Sequence, residues 1–338
     1  MLVGREDCQN LDRALSLEWL ETNGRGGFSS GTVAGANPRR YHAHLLTART
    51  PPSERFVLVN QLEEWLELDG HSFPLSTNCY PGVVHPSGYQ FCTGFAADPW
   101  PTWTFAYNGT TIQREILTIH GRDLVIIRWT LLGKKNQRAV LRVRPKLTGR
   151  DYHATHHENG SLSTEASIGT GTVAWQLYAD LPPIQAFHAG EYHHAPEWYR
   201  QIEFPLEQER GLDHAEDWWS PGEFTFDLKS RSTPTLPSPV NTSPNSMSPP
   251  SPGGSERGGN SSRNPLLLLM RWPGYSGAQP EPICPSEAIS RRSSPAIPGS
   301  PIGGEIPSFR YRGSVSSLVD SRPPGRSSRP LPPTSQKA

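Results

Sequence analysis

The amino-acid composition changes abruptly near residue 230, and this change limits how much of the chain can fold. Of the 35 prolines, 21 lie beyond residue 230, whereas all 12 histidines and nine of the ten tryptophans precede it. Residues 231–338 are rich in Pro, Ser, Gly and Arg and contain five acidic residues. Such a segment buries too little apolar surface to offset the entropy lost on ordering. The sequence predicts a folded domain over residues 1–229 and a disordered tail over residues 230–338.

Short β-rich runs separated by turn signals fill the first 230 residues. Asn108-Gly109 falls between two of these runs and residues 133–137 fall between two others, as is typical of hairpins. Strands at this spacing, without long helical periodicity, predict an all-β fold, an antiparallel β-sandwich. The runs are residues 40–46, 55–59, 65–68, 102–107, 110–119, 124–132, 139–146, 172–178 and 223–228.

The charge balance favours a neutral partner. The chain has 32 basic and 32 acidic residues, which gives no reason to expect nucleic acid or a membrane surface. The longest apolar run, residues 266–270, is too short to cross a bilayer. Because no secretory signal opens the chain and its four cysteines form no CxxC pair, we expect a cytoplasmic protein with reduced thiols.

Residues 18–46, EWLETNGRGGFSSGTVAGANPRRYHAHLL, carry the densest specific chemistry of the chain. Glycines at this density mark tight turns and places where another group approaches the backbone closely. The segment combines glycines, an arginine pair, an aromatic residue and two histidines, which are Gly24, Gly26, Gly27, Gly31, Gly35, Arg39, Arg40, Tyr41, His42 and His44.

This segment resembles the opening signature of the N-terminal domain of bacterial and archaeal-type glycogen debranching enzymes. Two later segments fit the same family in the same order, RDYH at residues 150–153 and the acidic stretch at residues 209–222. The resemblance implies amylo-α-1,6-glucosidase activity, which is a glycoside hydrolase function of glycogen catabolism. It also implies that this domain packs against a catalytic (α/α)6 barrel in the intact enzyme.

The resemblance suggests five residues that would meet the sugar. Hydrogen-bond donors and a ring face suited to a neutral glucan are offered by Asn23, Arg39, Arg40, Tyr41 and His42. The expected partner is glycogen or a branched α-glucan. The same groups could instead fix the contact with the barrel, which could be encoded separately.

No catalytic residue, metal site or cofactor is expected within this chain. The family's mechanism uses one carboxylic acid to protonate the glycosidic oxygen and a second carboxylate to activate water, and both belong to the barrel. The neighbouring acids Glu63-Glu64 and Glu216-Asp217 point to opposite faces of a strand and are expected to be solvated or in turns. The histidines lack the carboxylate or cysteine spacing of a coordination set. The chain alone is predicted to be inactive.

Residues 297–313, IPGSPIGGEIPSFRYRG, suggest that the barrel is encoded in a different reading frame. The family's barrel opens with a hallmark resembling TVIAGYPWFTDWGRDTFISLPG. Codons can be chosen that encode the part YPWFTDWGRDTFISLPG in one reading frame. The same nucleotides, read from one nucleotide later, encode residues 297–312 of this chain. This predicts a frameshift after about residue 229, with an out-of-frame tail. Two alternatives remain: a nonfunctional truncation product, and an interaction protein that uses its Pro-rich tail.

Overall fold

The computed structural model describes residues 1–133, 137–229 and 266–271. These residues all belong to one compact unit, residues 1–283. The second unit, residues 284–338, lies outside the described residues, and so does the out-of-frame segment 297–313.

Two antiparallel sheets form the body of the domain. The first sheet has nine strands, in spatial order β1 (Leu2–Gly4), β9 (Cys92–Ala96), β10 (Thr102–Tyr107), β11 (Thr110–Thr118), β12 (Leu124–Leu132), β19 (Leu266–Arg271), β16 (Ile184–His188), β15 (Thr172–Trp175) and β14 (Ser167–Gly169). The second has β17 (Glu191–Glu203), β18 (Ala215–Lys229), β13 (Arg138–Asp151), β5 (Ser53–Leu68), β4 (Ala43–Thr50), β3 (Phe28–Thr32) and β2 (Glu18–Thr22), and β6 (His71–Pro74) pairs with β5.

The remaining elements are short. A two-stranded ribbon consists of β7 (Thr77–Tyr80) and β8 (Val83–Ser87), and a 3-10 turn spans Gly88–Phe91. Three helices of five or six residues are α1 (Arg5–Gln9), α2 (Leu11–Ser16) and α3 (Pro205–Glu209). No helix among the described residues is long and apolar enough to cross a bilayer.

The two sheets pack face to face. The rings of Trp129 on β12 and Phe226 on β18 lie 5.7 Å apart between centroids. Arg114 on β11 reaches across the core to Glu64 on β5, with 2.8 Å between Nη1 and Oε2. From Leu62 to Leu68 of β5 the side chains alternate between buried and half-buried positions, because successive residues of a strand point to opposite faces. The predicted antiparallel, all-β fold class is confirmed.

The structure corrects several expected boundaries. Strand β4 begins at Ala43, so residues 40–42 lie in the turn before it rather than in a strand. Strand β18 begins at Ala215, so much of the acidic stretch is strand. Residues 266–271, expected to be disordered with the tail, form β19 inside the first sheet. The rest of the expected tail, residues 230–265 and 272–338, lies outside the described residues.

Candidate functional site

The five side chains expected to meet a sugar lie in two loops on either side of β3. Asn23 follows β2, whereas Arg39, Arg40, Tyr41 and His42 form the turn before β4. The contacts of each decide whether it is free to bind.

The side chain of Asn23 is buried and fixes its own loop. Its Nδ2 donates to Oδ1 of Asp123 at 2.9 Å, and its Oδ1 accepts from the backbone N–H groups of Arg25 and Gly27 at 2.8 and 3.0 Å. Its amide is therefore engaged inside the protein, and Asn23 acts by positioning the Gly-rich loop.

The glycines of that loop let other segments approach its backbone. Gly24 and Gly26 have φ angles of +73° and +92°. A Cβ at Gly26 would lie 2.8 Å from the Cα of Pro52, and one at Gly24 would collide with the ring of His120. The glycine density of the sequence thus reflects close packing against two distant turns.

A buried carboxylate, Glu216 on β18, organises the region behind the second loop. Arg150 Nε lies 2.6 Å from Oε2 of Glu216. Asn60 Nδ2 and Trp218 Nε1 donate to Oε1 at 2.9 and 2.6 Å, and the backbone N–H of His156 donates to Oε2 at 3.2 Å. Several donors around one carboxylate satisfy a charge that would otherwise be costly to bury.

This network holds the backbone of the turn before β4. Nη2 of Arg150 donates to the carbonyl oxygen of Arg40 at 2.7 Å. Asn37 Nδ2 donates to the carbonyl oxygens of Asn60 and His42, at 2.9 and 3.3 Å. The conformation of residues 40–42 is therefore set by buried polar groups of three strands.

Three rings gather at the surface of this turn and form what we call the aromatic cluster: Tyr41, Tyr152 and His153. The centroids of Tyr41 and Tyr152 are 5.7 Å apart, and those of Tyr152 and His153 are 3.9 Å apart. The hydroxyl of Tyr41 is 3.3 Å from Nδ1 of His153. Guanidinium groups of Arg40 and Arg55 lie 5.7 and 5.6 Å from the centroids of Tyr41 and Tyr152. His153 is exposed and both tyrosines are half-buried, so the cluster is open to a ligand.

Arg40 joins the cluster to α3. Its Nη1 donates to the carbonyl oxygen of His153 at 2.8 Å, and its Nη2 lies 3.7 Å from the wholly buried carboxylate of Glu207. With 12 % of its side chain exposed, Arg40 both supports the cluster and borders it.

Arg39 and His42 face a different acid, Glu18 on β2. Nε of Arg39 donates to Oε1 of Glu18 at 2.7 Å, and Nε2 of His42 lies 3.8 Å from the same oxygen. Burial lowers the pKa of His42 to about 4, and the opposing effect of Glu18 does not restore it. His42 is uncharged at neutral pH and sits too deep to meet a ligand.

The structure thus separates the five expected residues. Arg40 and Tyr41 belong to one open surface, Arg39 pairs with Glu18 on β2, and Asn23 and His42 are buried. Sequence reasoning did not include Tyr152 and His153 among the candidate residues, although the RDYH match already contained both.

The expectation that the paired acids are solvated or in turns is wrong for Glu64 and Glu216. Both are wholly buried on strands, and each faces an arginine from another strand, Arg114 and Arg150. Within residues 1–133, 137–229 and 266–271, no three His, Cys, Asp or Glu side chains are arranged to hold a metal.

Comparison with known proteins agrees with this architecture. Residues 17–235 match the family model described as glycogen debranching enzyme N terminal. No curated protein matches the chain. The matched segment spans well over half of the 338 residues and contains both loops and every residue of the aromatic cluster. The chain therefore belongs to the glycogen debranching enzyme N-terminal family.

Proposed function

We propose that this chain serves glycogen debranching as an accessory domain, and that the aromatic cluster binds glycogen or another branched α-glucan. The observation that supports this most is the pair of half-buried tyrosine rings, Tyr41 and Tyr152, beside the exposed ring of His153. A tyrosine offers an apolar face and a polar hydroxyl, which suits the C–H face and hydroxyls of glucose. Arg40 and Arg55 add guanidinium groups over the rings of Tyr41 and Tyr152.

Electrophoresis of the native chain through gels containing glycogen tests this binding. We expect glycogen to retard the wild-type chain, and Tyr41→Ala or Arg40→Ala to lose the retardation while the thermal unfolding transition stays cooperative. Tyr89→Ala is the matched control, because Tyr89 is also half-buried but lies in the 3-10 turn, outside the aromatic cluster. Equal retardation of wild type and Tyr41→Ala would count against the proposal.

The accessory role includes the absence of hydrolysis by this chain alone. Glycoside hydrolysis needs an acid and a second carboxylate on either side of the scissile bond. The carboxylates of Glu64 and Glu216 are buried and each is paired with an arginine, so neither can contact a substrate. We expect the purified chain to release no glucose from a branched dextrin, and measurable release would overturn this part.

We also propose that residues beyond about 229 are translated from a shifted reading frame. The catalytic (α/α)6 barrel, if it acts with this domain, then comes from a separate chain. The support is the shifted reading of residues 297–313. Sequencing the gene across these codons tests it, since one intact frame together with tail peptides detected in expressed protein would exclude a shift.

The same sequence leaves two alternatives to this function. A nonfunctional truncation product would aggregate or be degraded quickly in the cytoplasm, where we place the protein. An interaction protein would use its Pro-rich tail, which requires that tail to be in frame in related genes.

A further inference from the structure

Strand β19 fills a channel between two strands that do not pair with each other. On one side it pairs with β12, from Leu124 opposite Arg271 to Trp129 opposite Leu266. On the other it pairs with β16, from Gln185 opposite Arg271 onward. Without a strand at this position, β12 and β16 would each present a row of unpaired backbone groups.

Among the side chains of β19 that the structure describes, two enter the core. These are Leu268 and Met270, which are separated by one residue along the strand. Both are wholly buried and belong to the main apolar cluster. Met270 lies opposite Val125 and Ala186, which are also buried. Two apolar side chains thus anchor β19 in the core, and its backbone pairs with both walls of the channel.

The amino-acid sequence of β19 makes few further demands. Positions 266–269 are all leucine. A shift of one residue normally moves the apolar set of a strand to the wrong face, but a leucine run supplies an apolar residue in either register. Recognition of this kind depends on extended shape and apolar character rather than on a particular sequence.

The walls of the channel and the strand between them also differ in whether the family model covers them. Both walls, β12 and β16, lie within the family-matched residues 17–235, whereas β19 lies beyond them. The family domain thus builds a channel that its own matched sequence does not fill.

We propose that the channel between β12 and β16 is a strand-binding site, which accepts an extended apolar segment of another polypeptide chain in place of β19. The partner must supply two apolar residues separated by one position, and it must be free to pair on both edges. This site is remote in sequence from the aromatic cluster and does not depend on glucan binding.

A peptide with the sequence of residues 264–273, NPLLLLMRWP, carrying a fluorophore and added lysines for solubility, tests the proposal. The full chain with Leu268→Asp and Met270→Asp should bind this peptide at least about 10-fold more tightly than the wild-type chain, whose channel is filled. A peptide with the same two Asp substitutions is the control and should not bind. Equal weak binding of both peptides by the folded variant would overturn the proposal.

A second variant covers the case in which the Asp variant does not fold. In it, Ala186→Cys is combined with Leu268→Ala and Met270→Ala, which weaken the binding of β19 in the channel without burying a charge, and with Cys284→Ser, which removes the cysteine other than the three buried ones. A peptide with Met270→Cys, activated as a mixed disulfide with thionitrobenzoate, should exchange with the thiol introduced by Ala186→Cys and release thionitrobenzoate, because these positions face each other. A scrambled peptide with the same activated cysteine is the control. Cross-linking no faster than with that control would contradict the site.

Discussion

Nε of Arg150 lies 2.6 Å from Oε2 of Glu216, and 4 % and 0 % of these two side chains are exposed. The same arginine donates to the backbone of Arg40, next to the aromatic cluster. One buried ion pair therefore links the strand β18 to the turn that presents Tyr41.

Glu216→Gln should destabilise the domain strongly, because it leaves Arg150 buried without its counter-charge. We expect a loss of about 3–5 kcal/mol in the free energy of unfolding, measured by urea denaturation. Glu223→Gln is the matched control, since Glu223 pairs with Arg142 and Arg144 at the surface, and should cost at most about 1 kcal/mol. Similar losses for both variants would refute the role assigned to the buried pair.

Gly26→Ala tests the packing of the Gly-rich loop on Pro52. Gly121→Ala serves as the comparison, because Gly121 has a φ of +74° but nothing within 4 Å of an added Cβ. We expect Gly121→Ala to cost about 1–2 kcal/mol from the left-handed conformation alone. Gly26→Ala should cost a further 1–3 kcal/mol, roughly, from overpacking, and the difference is measurable by thermal unfolding.

Two buried histidines should make the fold sensitive to acid. Burial lowers the pKa of His42 to about 4 and that of His44 to about 3. The unfolded chain, with a histidine pKa near 6.5, then binds more protons than the folded chain as the pH falls. Stability is therefore full above pH 6.5, approximately, and is lost below it until the folded-state pKa is reached.

His42→Gln should flatten this pH dependence between about pH 6.5 and 4, by a contribution on the order of 3 kcal/mol. The measurement is the free energy of unfolding at several pH values, in which only the slope matters. His193→Gln, which replaces an exposed histidine, is the control substitution. An unchanged slope in His42→Gln would show that this ring binds its proton equally well in the folded and unfolded chain, against the lowered pKa.

Tyr152 separates stacking from hydrogen bonding in the proposed glucan site. Tyr152→Phe keeps the ring beside Tyr41 and His153 and should retain glycogen affinity within about 2-fold, because the ring face carries the contact. Tyr152→Ala removes that face and should weaken binding by roughly 10-fold, as measured by gel retardation over a series of glycogen concentrations. Equal loss in both variants would assign the contact to the hydroxyl instead.

The fold class was readable from sequence because turns and β-rich runs are local features. The buried acids were not, since the charges of Glu64 and Glu216 are balanced in the core by arginines 50 and 66 residues away. Nothing near Glu216 in the sequence names Arg150 as its partner, so a local reading leaves an acid on the surface.

The same limit explains the mixed outcome for the signature. Its glycines were correctly taken as points of close approach, but the segments that approach, at Pro52 and His120, are set by tertiary structure. Strand β19 escaped prediction because the composition of a long Pro-rich segment hides six residues, and their pairing partners lie in β12 and β16.

The position of β19 also sets the order in which the domain can be completed during synthesis. Ile127 pairs with Leu268, which is translated 141 residues later. At about 5–20 residues per second, the ribosome needs roughly 7 to 28 s to cover that distance. Strand β16 is translated within this interval, and 80 residues separate His188 from its partner Leu268. Until those residues have been added, β12 and β16 have no strand between them, and the nascent chain exposes two unpaired strand edges at once. Chaperone demand should therefore be highest between the translation of β16 and that of β19.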